Sequence, residues 1–323
     1  MNEHVEVMMS LIKNWTEENR KNYGKQVMVV EHSLNETGLF TDEALANMLD
    51  EHPNHLIDFQ HIPDNPDYPD QQVTVDFSGA DGKTMVEAAK SSTRVWINVR
   101  EVMNRHPKYR PILDQLHKEM EEFTGKNKDR RNCRGGILIS SATAATPYHA
   151  DPTMTHLWHV RGHKKAWVYP RTEDFMTDEA YEAIVLGEVD EDVPFDYALD
   201  DGAILGPADL YGGEMVSWPH RSPHRVENAS YCVSMVMEFS TRKSAFTNAG
   251  MFANGVLRRR YGMNPSWQNA SKVEKLGKAV MGRMMRNIGT RKSFRRKDMV
   301  RYKLDASFEG FVRAVSKPYE RVH

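Results

Sequence analysis

The spacing of apolar positions predicts β-strands in the middle of the chain. Between residues 135 and 240, short apolar runs are separated by turn residues. The last run alternates between two sets of side chains, Tyr231, Val233, Met235, Met237 and Phe239 on one face and Cys232, Ser234, Val236 and Glu238 on the other. A period of two is typical of a strand whose two faces meet different surroundings. Several short strands with turns between them predict an antiparallel sandwich or barrel.

The regions on either side carry the 3.6-residue period of helices. One helix is predicted after Thr41 and another over Pro111–Phe123. Near the C-terminal end, Ser271–Glu274 has the pattern of a capping box. Apolar stripes at helical spacing also predict a helix within residues 5–18 (Val5, Met8, Leu11, Ile12 and Trp15) and one after the capping box (Val273, Leu276, Val280, Met281, Met284 and Ile288).

These patterns divide the chain into three parts. Residues 1–134 are predicted to form a helical or mixed region that flanks the core. Residues 135–244 are predicted to be a mainly β core, interrupted by an acidic insert at about 172–204. Residues 245–323 are predicted to form a helical C-terminal region.

Composition narrows the class of protein. The chain has 323 residues, of which 40% are hydrophobic, but its apolar runs are far shorter than the ~18–20 residues of a membrane span. Its start lacks the basic and apolar regions of a secretory signal. Cys133 and Cys232 are too few for a disulfide framework or a thiolate metal site. We therefore expect a cytoplasmic protein without membrane contact.

The net charge of −2 conceals an uneven distribution. From Ala245 to the end there are 18 Lys and Arg against 5 Asp and Glu, whereas the rest carries 25 against 40. An acidic body with a basic C-terminal segment suggests a self-complementary interface or a surface for an anionic partner, although a solvated basic helical face explains it equally well.

The candidate chemistry lies in the predicted β core. His149 and Asp151 stand two residues apart, so on a strand both side chains point to the same face. His224 follows tens of residues later, as expected if a partner strand supplies the third ligand. Two histidines and one carboxylate in this spacing are typical of the facial triad of non-haem Fe(II) oxygenases. His220 is a rival for the distal position.

The sequence around these residues resembles the JmjC-like branch of the cupin superfamily. The members of this branch are Fe(II)- and 2-oxoglutarate-dependent hydroxylases. The resemblance covers about 135–240. It rests on Thr146–Asp151, on a following strand with Gly162 and Lys164, and on the spacing of Gly213, Pro219 and His224. The segment before Gly213 departs from the family because it lacks an aromatic–Pro pair.

The resemblance implies a double-stranded β-helix (jelly-roll) core with helical additions at both ends. It also implies that Fe(II) is held by His149, Asp151 and His224, and that Lys164 and Thr146 bind the far carboxylate of 2-oxoglutarate. With O2, such an enzyme hydroxylates an unactivated C–H and releases succinate and CO2. The substrate class stays open among protein side chains, amino acids and natural-product intermediates.

Several alternatives remain at this point. A metal-dependent cupin enzyme that does not use 2-oxoglutarate is one, and a non-catalytic binding protein on a cupin scaffold is another. Strand alternation allows only one of Lys164 and Lys165 to point inward. His159 should share a face with Leu157, where packing or a hydrogen bond that supports the site is favoured over substrate contact.

We expect a homodimer through the helix at 271–288. Nucleic acid is not an expected partner, because no recognised motif surrounds Phe294 and Tyr302 in the basic tract Arg291–Lys303.

Overall fold

The computed structural model describes residues 10–64, 72–125, 129–189, 193–294 and 298–321. Eight α-helices lie within these ranges: α1 (Glu17–Asn22), α2 (Asp42–Glu51), α3 (Gly82–Lys90), α4 (Val102–Arg105), α5 (Arg110–Thr124), α6 (Asp178–Leu186), α7 (Arg242–Tyr261) and α8 (Lys272–Asn287). The strands there are β1 (Met28–Glu31), β2 (Ile57–His61), β3 (Val73–Asp76), β4 (Val95–Val99), β5 (Arg131–Ser140), β6 (Ala145–His149), β7 (Met154–Arg161), β8 (Lys164–Val168), β9 (Leu205–Leu210), β10 (Glu214–Ser217), β11 (His224–Asn228), β12 (Cys232–Ser240), β13 (Met299–Leu304) and β14 (Val312–Glu320).

The strands form two sheets whose order identifies the core. The larger sheet runs β1-β10-β7-β12-β5-β4-β2-β3-β13-β14, and the smaller runs β6-β11-β8-β9. From β5 to β12 the chain passes back and forth between the sheets, and every pairing among these eight strands is antiparallel. This winding is a double-stranded β-helix. The predicted jelly-roll core is therefore confirmed.

The space between the two sheets is filled by side chains from both. Leu157 and Val216 come from the larger sheet, and Ala166, Val168 and Val226 from the smaller one, and all five are buried in one apolar cluster. Because side chains alternate along a strand, their sequence neighbours face outward. This interior is the space into which the candidate site opens.

The N-terminal region covers the outer face of the larger sheet. Trp158 of β7 points away from the interior and packs in a second, larger cluster with residues of α2, α3 and α5. The strands β2, β3 and β4 extend the same sheet beyond the core. The N-terminal region thus provides a rigid backing for β5, β7 and β12.

The predicted helix at 5–18 is wrong in its described part, because residues 10–16 are not helical. The carboxylate of Glu119 on α5 accepts hydrogen bonds from the backbone N–H groups of Leu11 and Ile12, at 2.9 and 2.8 Å. This tertiary contact buries both apolar side chains in an extended segment. A helix begins only at Glu17, after the capping residue Thr16. Residues 5–9 lie outside the described residues.

The C-terminal region is only partly helical. The predicted helix is present as α8, capped by Ser271 as its sequence indicates. After it, however, β13 pairs in parallel with β3 and antiparallel with β14. Alternating burial of Val300 and Leu304 against the N-terminal core explains why this segment is extended. Within the described part of the chain, no helix combines the length and apolar character that crossing a membrane requires.

Candidate metal centre

The fold brings the two candidate histidines face to face. His149 ends β6 and His224 begins β11, and the two residues are directly opposite each other in the antiparallel pairing. Their ring centroids are 4.1 Å apart. Asp151 follows two residues after His149, where the chain has left the strand. The long sequence gap between the motif and His224 is thus closed by strand pairing.

The three side chains converge on one point. One ligand atom from each of His149, Asp151 and His224 lies within 4.8 Å of the others. The Nε2 atom of His149 is 3.6 Å from Oδ1 of Asp151, and Nε2 of His224 is 3.5 Å from Oδ2. Both histidines are buried. This arrangement can hold a single metal ion.

The hydrogen bonds of the two imidazoles orient each Nε2 atom for metal binding. Nδ1 of His149 lies 2.7 Å from the carbonyl of Pro147, and Nδ1 of His224 lies 3.1 Å from that of Ser222. A carbonyl oxygen can only accept, so each Nδ1 carries the proton and each Nε2 presents a lone pair. Oδ2 of Asp151 is buried without a hydrogen-bond partner among the described residues. Two lone pairs and a carboxylate that face one point are suited to a cation between them.

The charge states of the ligands agree with this. Burial, together with the neighbouring His149, lowers the pKa of His224 to about 4, so its imidazole is neutral at pH 7. Burial alone would raise the pKa of Asp151, but His224 and His149 bring it well below its usual value. The site therefore offers neutral imidazole and ionised carboxylate, the forms that bind metals.

The rival histidine is not part of this cluster. Nε2 of His220 lies 3.2 Å from the carbonyl of Pro152 and 3.3 Å from the hydroxyl of Tyr181. Trp218, from the same loop, packs on the ring of His224 with centroids 4.1 Å apart. His220 and Trp218 therefore form the wall of the site.

Lys164 is the lysine that points inward, as alternation requires for one of the pair. It is 4% exposed, whereas Lys165 is partly exposed. Its Nζ donates to Oγ of Ser234 at 2.8 Å, and no carboxylate of a described residue forms an ion pair with it. Burial lowers the pKa of this ammonium. An interior cation with unused donors is suited to an anionic ligand.

Strand register relates this lysine to the metal ligands. In the β8–β11 pair, Val168 is opposite His224 and Lys164 is opposite Asn228. Four residues of strand separate the two levels, which is roughly 13 Å between the backbones. The apolar side chains of Ala166 and Val226 lie between them. Lys164 and the metal ligands thus lie at opposite ends of one stretch of the interior between the two sheets, which we call the interior channel.

A β-bulge also turns Thr146 toward this interior. His149 pairs with His224 but Thr146 pairs with Val226, so β6 has one more residue than β11 over this stretch. Thr146 is therefore opposite a residue of the interior cluster, although it lies three positions from His149. Tyr148, within the bulge, belongs to the outer cluster under α6.

Sequence reasoning missed the role of Ser234, which lies between His159 and Lys164. His159 points into the interior, with Nδ1 3.1 Å from Oγ of Ser234 and Nε2 2.9 Å from the carbonyl of Gly162. Since Nε2 must donate to that carbonyl, Nδ1 accepts the proton of the Ser234 hydroxyl. The Ser234 oxygen then accepts from Lys164. The alternation of β12 was the only sequence signal that placed Ser234 inside.

Arg225 follows His224 directly but does not contact the site. It faces outward, with its guanidinium carbon 3.5 Å from the centroid of Trp167. It binds Asp200 of the acidic insert at 2.5 Å. On the other side of the insert, Glu182 of α6 is completely buried and paired with Arg258 of α7 at 2.8 Å. The described part of the insert is therefore fixed to its neighbours.

Comparisons with known proteins add a likeness of fold. No protein-family model matches the chain, and no curated protein matches it. Among solved structures, the ribosomal oxygenase YcfD of Escherichia coli in complex with cobalt and succinic acid is 14% identical, with 87% of this chain and 69% of that chain covered and a TM-score of 0.45. YcfD with cobalt and 2-oxoglutarate is 15% identical, with 87% and 68% covered and a TM-score of 0.47. A likeness this distant does not show what this chain binds.

Proposed function

We propose that the protein is an Fe(II)- and 2-oxoglutarate-dependent oxygenase that hydroxylates an unactivated C–H of its substrate. One observation carries the proposal: His149, Asp151 and His224 converge at one end of an interior channel, and the buried Lys164 lies at its other end. A metal site explains the first group, and a dicarboxylate that spans the channel explains the second. The triad with open coordination positions is characteristic of non-haem iron oxygenases.

The side chains divide the work as follows. His149, Asp151 and His224 would hold the iron, and the backbone carbonyls of Pro147 and Ser222 fix their imidazole rings. When bound, iron with 2-oxoglutarate and O2 supplies the oxidising chemistry, with release of succinate and CO2.

Lys164 and Thr146 would bind the far carboxylate of 2-oxoglutarate. The Ser234 hydroxyl and His159 orient the ammonium, because their hydrogen bonds leave Ser234 only its acceptor side for Lys164. The apolar walls of Ala166 and Val226 exclude water from the channel, which strengthens these charged contacts.

Lys164 favours this function over a cupin enzyme that does not use 2-oxoglutarate, because such an enzyme needs no buried cation opposite its metal. The convergence of three competent ligands also favours a metal-dependent function over a non-catalytic scaffold.

An anaerobic titration tests the proposal. The metal-free protein receives Fe(II) and then 2-oxoglutarate while the visible spectrum is recorded. We expect a metal-to-ligand charge-transfer band that is absent in His149→Ala. The band should require much more 2-oxoglutarate in Lys164→Ala but not in the matched control Lys165→Ala. A folded, iron-loaded protein without the band would exclude the 2-oxoglutarate mechanism.

A further inference from the structure

A cavity of about 1150 Å³ lies beside the candidate metal centre. His220 and Arg221, from the loop that leads into His224, form one wall, and Met154 at the start of β7 forms another. The first residues of α7 and the segment around Gly24 complete it. A space of this size accommodates a substrate larger than a free amino acid.

The cavity is separated from the metal ligands by a thin layer. Pro152 directly follows Asp151, and its carbonyl accepts hydrogen bonds from His220 at 3.2 Å and from Asn248 at 2.5 Å. His220 itself faces the cavity. A molecule bound in the cavity therefore lies next to the residues that position Asp151.

The lining of the cavity is strongly cationic. Among the described residues that line it, one is acidic, Asp129, which is paired with Arg242. Of the other charged groups, Arg221 has a long contact of 3.4 Å with Asp178. The basic residues that face the cavity are Lys25, Arg130, Arg171, Arg221, Arg242 and Lys243.

Arg130 shows that this charge is not balanced by the protein. Both terminal guanidinium nitrogens are buried, and neither has a hydrogen-bond partner among the described residues. Its guanidinium carbon lies 5.7 Å from the centroid of the Phe239 ring. Its positive charge adds to burial in lowering the pKa of His156 to about 3. Arg171 also lacks a carboxylate partner among the described residues, and burial and Arg221 lower its pKa.

Among the described residues, the acidic insert pairs with only one basic residue of this surface, Arg221, through Asp178. No described residue of 172–204 lines the cavity. Its carboxylates Glu182 and Glu188 are bound to arginines of α7, and Asp200 is bound to Arg225. The cavity instead draws its charge from the region before α6 and from the beginning of the basic C-terminal part.

We propose that this cavity binds the substrate and that the substrate carries phosphate or carboxylate groups. The inference rests on the proposed function and names the substrate class of the same site. Buried guanidinium groups without partners are suited to bidentate contacts with such anions. The rings of Tyr23, Phe239 and Trp267 in the lining would take the uncharged part of the molecule. A lysine- or arginine-rich protein segment is excluded by the same charge.

Binding of simple anions tests the inference without iron, 2-oxoglutarate or turnover. Calorimetry with pyrophosphate and with citrate on the metal-free protein should give saturable binding of at least one, and the preferred probe identifies phosphate or carboxylate as the source. A spermidine control should not bind. Loss of one charge-assisted contact predicts about tenfold weaker binding in Arg130→Gln.

Two further variants separate this cavity from the interior channel. Lys243 is exposed, so Lys243→Glu should fold normally and still weaken anion binding at least tenfold. Lys164→Ala should leave the binding unchanged. Absence of binding by the unaltered protein, or binding that survives Lys243→Glu and is lost in Lys164→Ala, would overturn the inference. Because no iron is present, these results do not depend on whether the oxygenase chemistry is correct.

Discussion

Replacement of Lys164 by methionine should make the protein more stable and a poorer binder of 2-oxoglutarate. The two side chains have similar volume and flexibility, so Lys164→Met preserves packing and removes only the charge. Lys164 is 4% exposed and forms no ion pair with a described residue, so its ammonium is held in the interior by one hydrogen bond to Ser234. Such a charge is costly to bury.

The magnitude follows from the contacts. Removing an inadequately compensated buried charge should stabilise the metal-free protein by about 1–3 kcal/mol. The Ser234 hydroxyl loses one donor in the variant, which reduces that gain by about 1 kcal/mol. In the opposite direction, a lost ammonium–carboxylate contact should cost about 1.5–3 kcal/mol of binding, or roughly 10- to 150-fold in the Kd for 2-oxoglutarate.

Urea unfolding of the metal-free protein gives the first quantity, and anaerobic titration of the iron-loaded protein with 2-oxoglutarate gives the second. Lys165→Met, on the opposite face of the same strand, is the matched control and should change neither by more than about 0.5 kcal/mol. A Lys164→Met variant that is less stable and binds 2-oxoglutarate normally would refute the reasoning. Lys164 would then have a purely structural role.

Three other predictions concern parts outside the channel. Burial lowers the pKa of His156 to about 3 and that of His32 to about 4, whereas both have a pKa of 6.5 in the unfolded state, so below pH 6.5 the unfolded state binds more protons than the folded state. The free energy of unfolding should therefore fall by about 2 kcal/mol for each histidine between pH 6.5 and pH 5. Equal urea midpoints at pH 7 and pH 5 would contradict this. We propose that the apolar face of α8, where Leu276 is 57% and Met284 65% exposed, mediates a homodimer. Sedimentation should show a dimer that the substitution Leu276→Glu converts to a monomer. An unaltered protein that is monomeric at micromolar concentration would disprove the proposal. The substitution Arg225→Leu should remove the ion pair that holds the insert at Asp200, so residues 193–204 should be cleaved faster by proteases while iron binding is unchanged. An unchanged rate of proteolysis would mean that other contacts are enough to hold the insert in place.

The sequence was most informative where chemistry and strand period coincide. His149 and Asp151 lie two residues apart, and the period of the neighbouring strand allows only one of Lys164 and Lys165 to point inward. These relations are local, so they are readable without the fold. The pairing of His149 with His224 was anticipated only as a requirement for a partner strand, and the register that achieves it became visible in the structure.

Other features depend on contacts between distant segments and could not be read locally. The extended conformation at Leu11 requires Glu119, which lies on a helix far along the chain. The strand β13 forms because β3 offers it a parallel partner. The relay from Lys164 through Ser234 to His159 joins three strands, and neither Ser234 nor His159 has a distinctive sequence context.

Lys164, in the interior, and Arg130, in the lining of the cavity, are both cationic side chains whose burial needs an explanation. Each places a positive charge in a buried position, and neither has a carboxylate partner among the described residues. Their neighbours offset little of the cost, since among the described residues Lys164 has one hydrogen-bond acceptor, the Ser234 hydroxyl, and Arg130 lies beside the apolar ring of Phe239. Packing alone does not account for such groups, because apolar side chains of similar size would fill the same space more favourably. Anionic ligands at both positions would offset the cost: a dicarboxylate inside the channel, and the substrate in the cavity next to it.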